Sequence, residues 1–282
     1  MELGLEDKTV LITGASGGIG QALADAFGQE GARLALTAHR NLPALERYTA
    51  EQPWRARSLT LASDVTQPDS IQSAFDQTLA RFGRVDICLA NSGVWPPEER
   101  RLDQLEERRI RETLEINLLG AIWTARAFLR CLARTGPRPD GQGACLILIG
   151  STAGRFGERG HAEYSISKAG LYGLLRTVKN EIVALDPYAR VNLVEPGWTV
   201  TPMSREALNA PGAIEKPLQT MPLRQLARPQ DIAQAVLFFS SHRTARHLSG
   251  EILTVAGGME GRLLWERGQV DGEEVKRRLA SD

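Results

Sequence analysis

In the stretch HAEYSISKAG, residues 161–170, Tyr164 and Lys168 stand four positions apart among small residues. On a helix that spacing stacks them on one face. A free phenol ionises near pH ~10, too high for an efficient proton acceptor near neutrality. An ammonium group one helical turn away stabilises the phenolate and lowers that value. The two residues can therefore form an acid–base pair, or they can share a helix by chance. The pattern alone does not separate those readings; what the rest of the chain builds around it does.

Short β-rich runs alternate with longer helical patterns from the start of the chain. Residues 9–13, 33–38, 57–63, 85–90, 144–150, 189–195 and 250–255 read as strands. They are nearly continuously apolar, as expected where both faces of a sheet are covered. Between them, segments such as 19–31 and 69–83 carry helical spacing and close on Gly31 and Gly83, suitable C-terminal stops. This alternation predicts an α/β fold: a single doubly wound Rossmann-type domain, with a seven-stranded parallel sheet and helices on both faces. The domain is expected over 1–259, with 260–282 as a C-terminal extension of it. Residues 134–143, RTGPRPDGQG, read as a surface loop. The extension is charged, and its apolar cluster of Leu263, Leu264 and Trp265 is expected either to pack across a neighbouring subunit or to fray.

Composition narrows the classes. The 282 residues are 42% hydrophobic and 24% charged, ordinary for a globular protein with a substantial core. Lys plus Arg number 34 and so do Asp plus Glu, so no net field favours nucleic acid or an anionic membrane surface. The cluster ERRIRE at 107–112 reads as a solvated helix face. Cys88, Cys131 and Cys145 have no metal-ligand spacing, and four scattered histidines make no zinc-type group, so no metal is expected. No stretch approaches the ~18 apolar residues of a membrane span, and the acidic start lacks a signal-type apolar core. A cytoplasmic location is the expectation.

The first strand runs directly into TGASGGIG, residues 13–20, ahead of a helix. Glycines at such a turn let backbone N–H groups approach a pyrophosphate, and the helix N-terminus adds positive potential. The spacing, with Gly14, Gly18 and Gly20, differs from the G-x-G-x-x-G fingerprint. A tight strand–helix turn without a ligand is the plain alternative.

Taken in order, TGASGGIG, ANSG (90–93), Asn117 in INLLG, Ser151 in GSTAG, Tyr164 with Lys168, and EPGWTVTPM (195–203) resemble the short-chain dehydrogenase/reductase family. RPQDIAQAVLFFSS and LSGEILTVAGG resemble its last helix and strand. The likeness spans residues from about 5 to about 258, and among members it is to those resembling 3-oxoacyl-acyl-carrier-protein reductases. It implies a single Rossmann-type sheet and an NAD(P)-dependent oxidoreductase acting on a ketone or secondary alcohol. Tyr164 then reads as the general acid/base, and Lys168 as the modulator of its pKa and a donor to the cofactor ribose. Ser151, at the C-terminal end of the fifth strand, would hydrogen-bond the substrate oxygen. By resemblance Asn117 would position a water linking Lys168 to solvent. Individually, Ser151 could cap a turn, Asn117 could satisfy buried backbone and Tyr164 could be a surface aromatic.

The resemblance assigns the cofactor to Gly14, Ser16, Gly17, Gly18, Ile19 and Gly20 of the turn. It adds His39 and Arg40 after the second strand, Asp64 and Val65 after the third, and Asn91 and Gly93 after the fourth. Tyr164, Lys168, Pro196, Gly197, Thr199 and Thr201 complete the set. Ala38 stands where NAD-dependent relatives usually carry Asp, and His39 or Arg40 could meet a 2′-phosphate, so NADP is expected, with NAD as the alternative. Against this, NADP-preferring relatives often have Arg or Lys where this chain has Gly17. Asp64 resembles the adenine-contacting Asp.

The mouth of the site should come from 91–100, 154–164 and 196–223, the last a candidate lid. Trp95, Trp198, Phe156 and Met203 offer apolar walls, while Arg155, Arg159 and His161 could meet an acidic group. The expected substrate is a small carbonyl or alcohol, a 3-oxoacyl thioester first, with a sugar, polyol or secondary alcohol as the alternative. A non-catalytic dinucleotide-binding redox sensor is the reading from another class. Relatives are commonly dimers or tetramers built through the fourth and fifth helices, so a homodimer or homotetramer is expected.

Overall fold

The computed structural model describes residues 2–209, 211–261, 265 and 267–280. Its strands are β1 (Thr9–Ile12), β2 (Arg33–Ala38), β3 (Ser58–Ala62), β4 (Ile87–Ala90), β5 (Cys145–Ile149), β6 (Arg190–Pro196) and β7 (Ile252–Val255). All pair in parallel, in the order β3-β2-β1-β4-β5-β6-β7. The order reverses between β1 and β4, and the cleft above that point is where open α/β sheets bind ligands.

The strands form because their residues serve two faces at once. In β1, Val10 and Ile12 enter one apolar cluster with Phe27, Ile232 and Phe239, while Leu11 enters the other with Phe75, Phe128 and Leu171. The first face is covered by α1 (Gly18–Gln29), α2 (Leu42–Ala50) and, later in the chain, the helix Pro229–Ser240. The second is covered by α3 (Pro68–Phe82), α4 (Glu107–Leu114), α5 (Gly120–Thr135) and a helix at Ala162–Glu181. The inner strands β1, β4, β5 and β6 are buried throughout, whereas edge strand β7 is half-buried along its length. Gly31 and Gly83 both adopt φ of +81°, the left-handed conformation that closes α1 and α3.

After β5 come α6 (Thr152–Phe156) and α7 (Ala162–Glu181), and after β6 come α8 (Pro202–Asn209) and α9 (Glu215–Leu218). The chain continues through α10 (Pro229–Ser240), α11 (His242–Ala245) and β7 to α12 (Gly272–Ala280). One expectation changes here. Between α4 and α5 the helix passes through a π-type turn, Glu115–Leu119, so Glu107–Thr135 is one continuous helical rod. An 18-residue window of that rod reaches a mean hydropathy of 1.2, and half of it is buried. Its apolar residues Ala121, Ala125, Phe128 and Leu132 pack against the sheet, which explains the apolar run without a membrane.

The C-terminal extension folds back on its own subunit. Leu208, Ile214, Leu218 and Met221 of the segment after β6 form a third apolar cluster with Val270 and Val275. Trp265 donates its indole N–H to the Met221 carbonyl at 2.6 Å, and Arg224 lies 4.3 Å over its ring. Leu263 and Leu264, expected to share its cluster, lie outside the described residues.

Candidate active site

The glycine turn is built for close approach. Gly14 has φ of +65°, and a Cβ on it would lie 2.9 Å from the Ser92 Cα. A Cβ on Gly20 would lie 2.4 Å from the Gly14 carbonyl oxygen. The turn is held from β4: Asn91 donates its amide to the carbonyls of Thr13 and Gly14 at 2.9 and 3.2 Å. The Thr13 hydroxyl accepts the N–H groups of Asn91 and Ser92 at 3.0 and 3.1 Å. At Gly18 a Cβ would come within 2.9 Å of Pro202 and 3.1 Å of Thr201, so the segment after β6 meets the turn directly. Thr199 donates its hydroxyl to the Gly197 carbonyl at 3.0 Å, and Ser204 ties Thr199 and Thr201 together. Ser16, Gly17 and Ile19 are at least partly exposed, and the lack of side chains at Gly14, Gly18 and Gly20 lets the turn, the loop after β4 and the segment after β6 pack closely at the start of α1.

Beside the turn, His39 and Arg40 are exposed at the end of β2, while Ala38 is buried. Asp64 is less free than the resemblance implies. Its carboxylate accepts the N–H and hydroxyl of Thr66 at 2.9 and 2.8 Å and faces His39 at 3.6 Å. Burial acts to raise its pKa, but these bonds and the charges of His39 and Arg40 hold it below the usual carboxylate range. Val65 packs against Gly120, where a Cβ would come within 2.9 Å.

Asn117 falls within the π-type turn and is 1% exposed. Such turns widen a helix locally and often sit at functional sites. Its carbonyl accepts the Val94 N–H at 2.7 Å, and its amide donates to the Val94 carbonyl at 2.9 Å and to the Ser167 hydroxyl at 3.1 Å. Ser167 in turn donates to the Tyr164 carbonyl at 2.7 Å. Asn117 thus fastens the loop after β4 to the start of α7. Gly93 passes between: a Cβ there would lie 3.2 Å from Asn117 Oδ1 and 3.3 Å from Lys168 Nζ.

Tyr164 and Lys168 lie on one face of α7, the Lys168 nitrogen 5.9 Å from the phenol ring centre. Lys168 is 5% exposed and donates to the Ile149 carbonyl, at the end of β5, at 2.9 Å. Ser151, two residues beyond the end of β5, caps α6 by accepting the Ala153 N–H at 3.1 Å and hydrogen-bonds the Tyr164 phenol. The four residues expected to do chemistry therefore converge at the C-terminal edge of β4 and β5, next to the glycine turn. The electrostatics differ from the simple expectation. Burial pushes the phenol up to about 12, with Ser151 lowering it and the Glu158 charge raising it further. Lys168 is itself desolvated and pushed down to about 8. The protein's own groups thus keep Tyr164 protonated at neutral pH.

The mouth gathers Trp95, His161 and Trp198. Trp95 stacks on His161 at 4.9 Å and 21°, and meets Trp198 edge-on at 6.0 Å and 74°. Phe156 lies against Gly261 of the extension, and Met203 is exposed on α8. Two residues expected at the substrate also have contacts within the protein. Arg155 is engaged with the fully buried Glu195 at 3.2 Å, a carboxylate that also takes the hydroxyls of Tyr172 and Thr254. His161 is 1% exposed beneath Trp95, with its Nε2 facing the Pro96 carbonyl at 2.9 Å. Both side chains thus have partners within the protein that are distant in sequence. Sequence reasoning missed Glu158, which accepts the Trp95 indole N–H beside the phenol, although it lies in the same GERGHAEY segment as the basic residues. Among the described residues no group of three or more His, Cys, Asp or Glu side chains could hold a metal ion.

The family model described as enoyl-(acyl carrier protein) reductase matches residues 14–260. The chain is 32% identical over 259 residues to the 3-oxoacyl-[acyl-carrier-protein] reductase FabG of Escherichia coli K12, covering 91% of this chain and 99% of that one. It is 30% identical over 260 residues to the L-rhamnose 1-dehydrogenase (NAD(P)(+)) of Sphingomonas sp. SKA58, covering 90% and 97%. The crystal structure of a short-chain dehydrogenase/reductase, glucose/ribitol dehydrogenase, from Brucella melitensis superposes with a TM-score of 0.82 at 27% identity, covering 92% and 98%.

Proposed function

The chain belongs to the short-chain dehydrogenase/reductase family, and on that premise we propose that it is an NAD(P)-dependent oxidoreductase interconverting a ketone and a secondary alcohol. The observation that carries this reading is the convergence of Asn117, Ser151, Tyr164 and Lys168 beside the glycine turn. A nicotinamide held there supplies or accepts the hydride. The glycine turn, with Thr199 and Thr201, would hold its phosphates, and Lys168 its ribose. Ser151 donates a hydrogen bond to the substrate oxygen, orienting it and offsetting charge that develops there. Tyr164 gives its proton to that oxygen in reduction and takes it back in oxidation. The Lys168 ammonium lies near the phenolate left behind and stabilises it. Asn117 keeps the loop after β4 and the start of α7 in register, so that the acid and its partners stay aligned.

NADP is the proposed cofactor. Supporting it, Ala38 puts no carboxylate at the end of β2, and His39 and Arg40 stand exposed beside it. The curated relatives offer two substrate classes to test, a 3-oxoacyl thioester and a sugar or polyol. A cytoplasmic homodimer or homotetramer is the proposed setting. The testing experiment is a panel of ketones and secondary alcohols assayed in both directions with NADPH/NADP and NADH/NAD, alongside fluorescence titration of both reduced cofactors. The proposal predicts nicotinamide-dependent turnover and tighter NADPH binding. Turnover without nicotinamide, or tighter NADH binding, would refute the corresponding part.

A further inference from the structure

One charged group in the mouth has been given no contact with substrate so far. The Glu158 side chain is 25% exposed, six residues before Tyr164, and its charge reaches the phenol. Trp95 Nε1 lies 3.2 and 3.3 Å from its two carboxylate oxygens, so a single N–H is shared between them. The His161 ring contributes no hydrogen bond to it: Nδ1 is 3.6 Å from Oε1 and 3.4 Å from the Arg159 carbonyl, while Nε2 faces Pro96. An ionised carboxylate accepts about four hydrogen bonds, so Glu158 keeps acceptor capacity on its exposed side. It is also held in place. Its own N–H donates to the Ser165 hydroxyl at 2.9 Å, and Trp95 is fixed between His161 and Trp198.

We propose that Glu158 determines substrate class by accepting a hydrogen bond from a hydroxyl group next to the reacting carbon. The inference rests on the reading of Tyr164 and Ser151 as the groups that hold the reacting oxygen. A hydroxylated ketone, a sugar or a polyol replaces the water that Glu158 loses when substrate enters. A 3-oxoacyl thioester does not. It places a methylene and then a carbonyl oxygen beside the reacting carbon, so the carboxylate meets either no partner or a second acceptor. A carboxylate-bearing substrate meets like charge. The structure therefore favours the hydroxylated class over the thioester class among the substrates that the relatives act on.

A matched pair differing by one hydroxyl tests this: acetoin and butanone, assayed with acetoacetyl-coenzyme A as the thioester, with NADPH and with NADH. The wild type, Glu158→Gln and Glu158→Leu are compared by the ratio of kcat/KM for acetoin to that for butanone. Binding of the same pair is followed by tryptophan fluorescence, since Trp95 and Trp198 border the site. The wild type is expected to favour acetoin by about 10- to 100-fold, the effect of one hydrogen bond to a charged acceptor. Glu158→Leu brings the ratio close to one, and Glu158→Gln, which keeps the shape and one acceptor oxygen, falls between. A wild-type ratio near one, a ratio that survives in Glu158→Leu, or a preference for the thioester overturns the proposal while leaving the oxidoreductase reading intact. No turnover of any of the three with either nicotinamide counts against that reading, and the proposal falls with it.

Discussion

Replacing Lys168 by methionine should abolish turnover and at the same time stabilise the fold at neutral pH. Lys168 is 5% exposed, and burial pushes its pKa from 10.5 down to about 8. Below pH 8 both the folded and unfolded chains hold the proton, and the folded state bears the full cost of the buried charge. Between 8 and 10.5 the unfolded chain binds more protons, so stability rises with pH; above 10.5 the cost has gone. A difference of about 2.5 pH units corresponds to about 3 kcal/mol at pH 7. Methionine has a similar length and no charge, but it forfeits the 2.9 Å hydrogen bond from the ammonium to the Ile149 carbonyl, which contributes about 2 kcal/mol. Lys168→Met should therefore gain about 1 kcal/mol at pH 7 and lose that advantage as pH approaches 10.5. Urea unfolding at pH 7 and again near pH 10 reads both values from the shift in midpoint. A variant less stable than wild type at pH 7, or a gap that does not change with pH, would refute the burial argument.

Two further perturbations address the elements around that pair. Gly20→Ala puts a methyl 2.4 Å from the Gly14 oxygen and 2.7 Å from the Ala15 Cα. Both atoms are backbone, so the variant should lose about 1–3 kcal/mol and bind NADPH at least tenfold more weakly by fluorescence titration; unchanged melting and affinity would contradict the close-approach account. Trp265→Ala removes the 2.6 Å bond to Met221 and the surface under Arg224. It should speed tryptic cleavage at Arg205 and Arg224 and raise KM with kcat held, whereas equal protection from trypsin would show that the extension does not restrain the segment after β6.

Much of the fold was legible because inner strands of a parallel sheet are buried on both faces and show up as apolar runs. Every strand lies within the expected bounds except at β6 and its end, where Pro196 extends the ladder by one residue. Gly31 and Gly83 stop their helices through the left-handed conformation that their residue type predicts. The site was legible in its residues and less so in its partners. Nothing in INLLG signals a π-type turn, because that turn is set by packing between α4, α5 and α7. The ion pair of Arg155 on α6 with Glu195 on β6 was not legible, because the two lie forty residues apart. Glu158 was passed over for the same reason: its contact with Trp95 spans sixty-three residues. The direction of the Tyr164 shift depends on tertiary burial, which the Y-x-x-x-K spacing does not encode. The extension's contact with the segment after β6 was not legible, since charged composition hid the few apolar residues, Val270 and Val275 among them, that make it.

The central claim is that the Tyr164 hydroxyl transfers the proton, and Tyr164→Phe tests it most directly. The variant removes one oxygen and keeps the ring that Lys168 faces at 5.9 Å. With a working ketone substrate, it should lose about 10³-fold or more in kcat/KM, the upper part of the range for a positioned acid–base group, while binding NADPH as the wild type does. A Tyr164→Phe enzyme within about tenfold of wild type, an effect too small for the loss of such a group, would contradict the account.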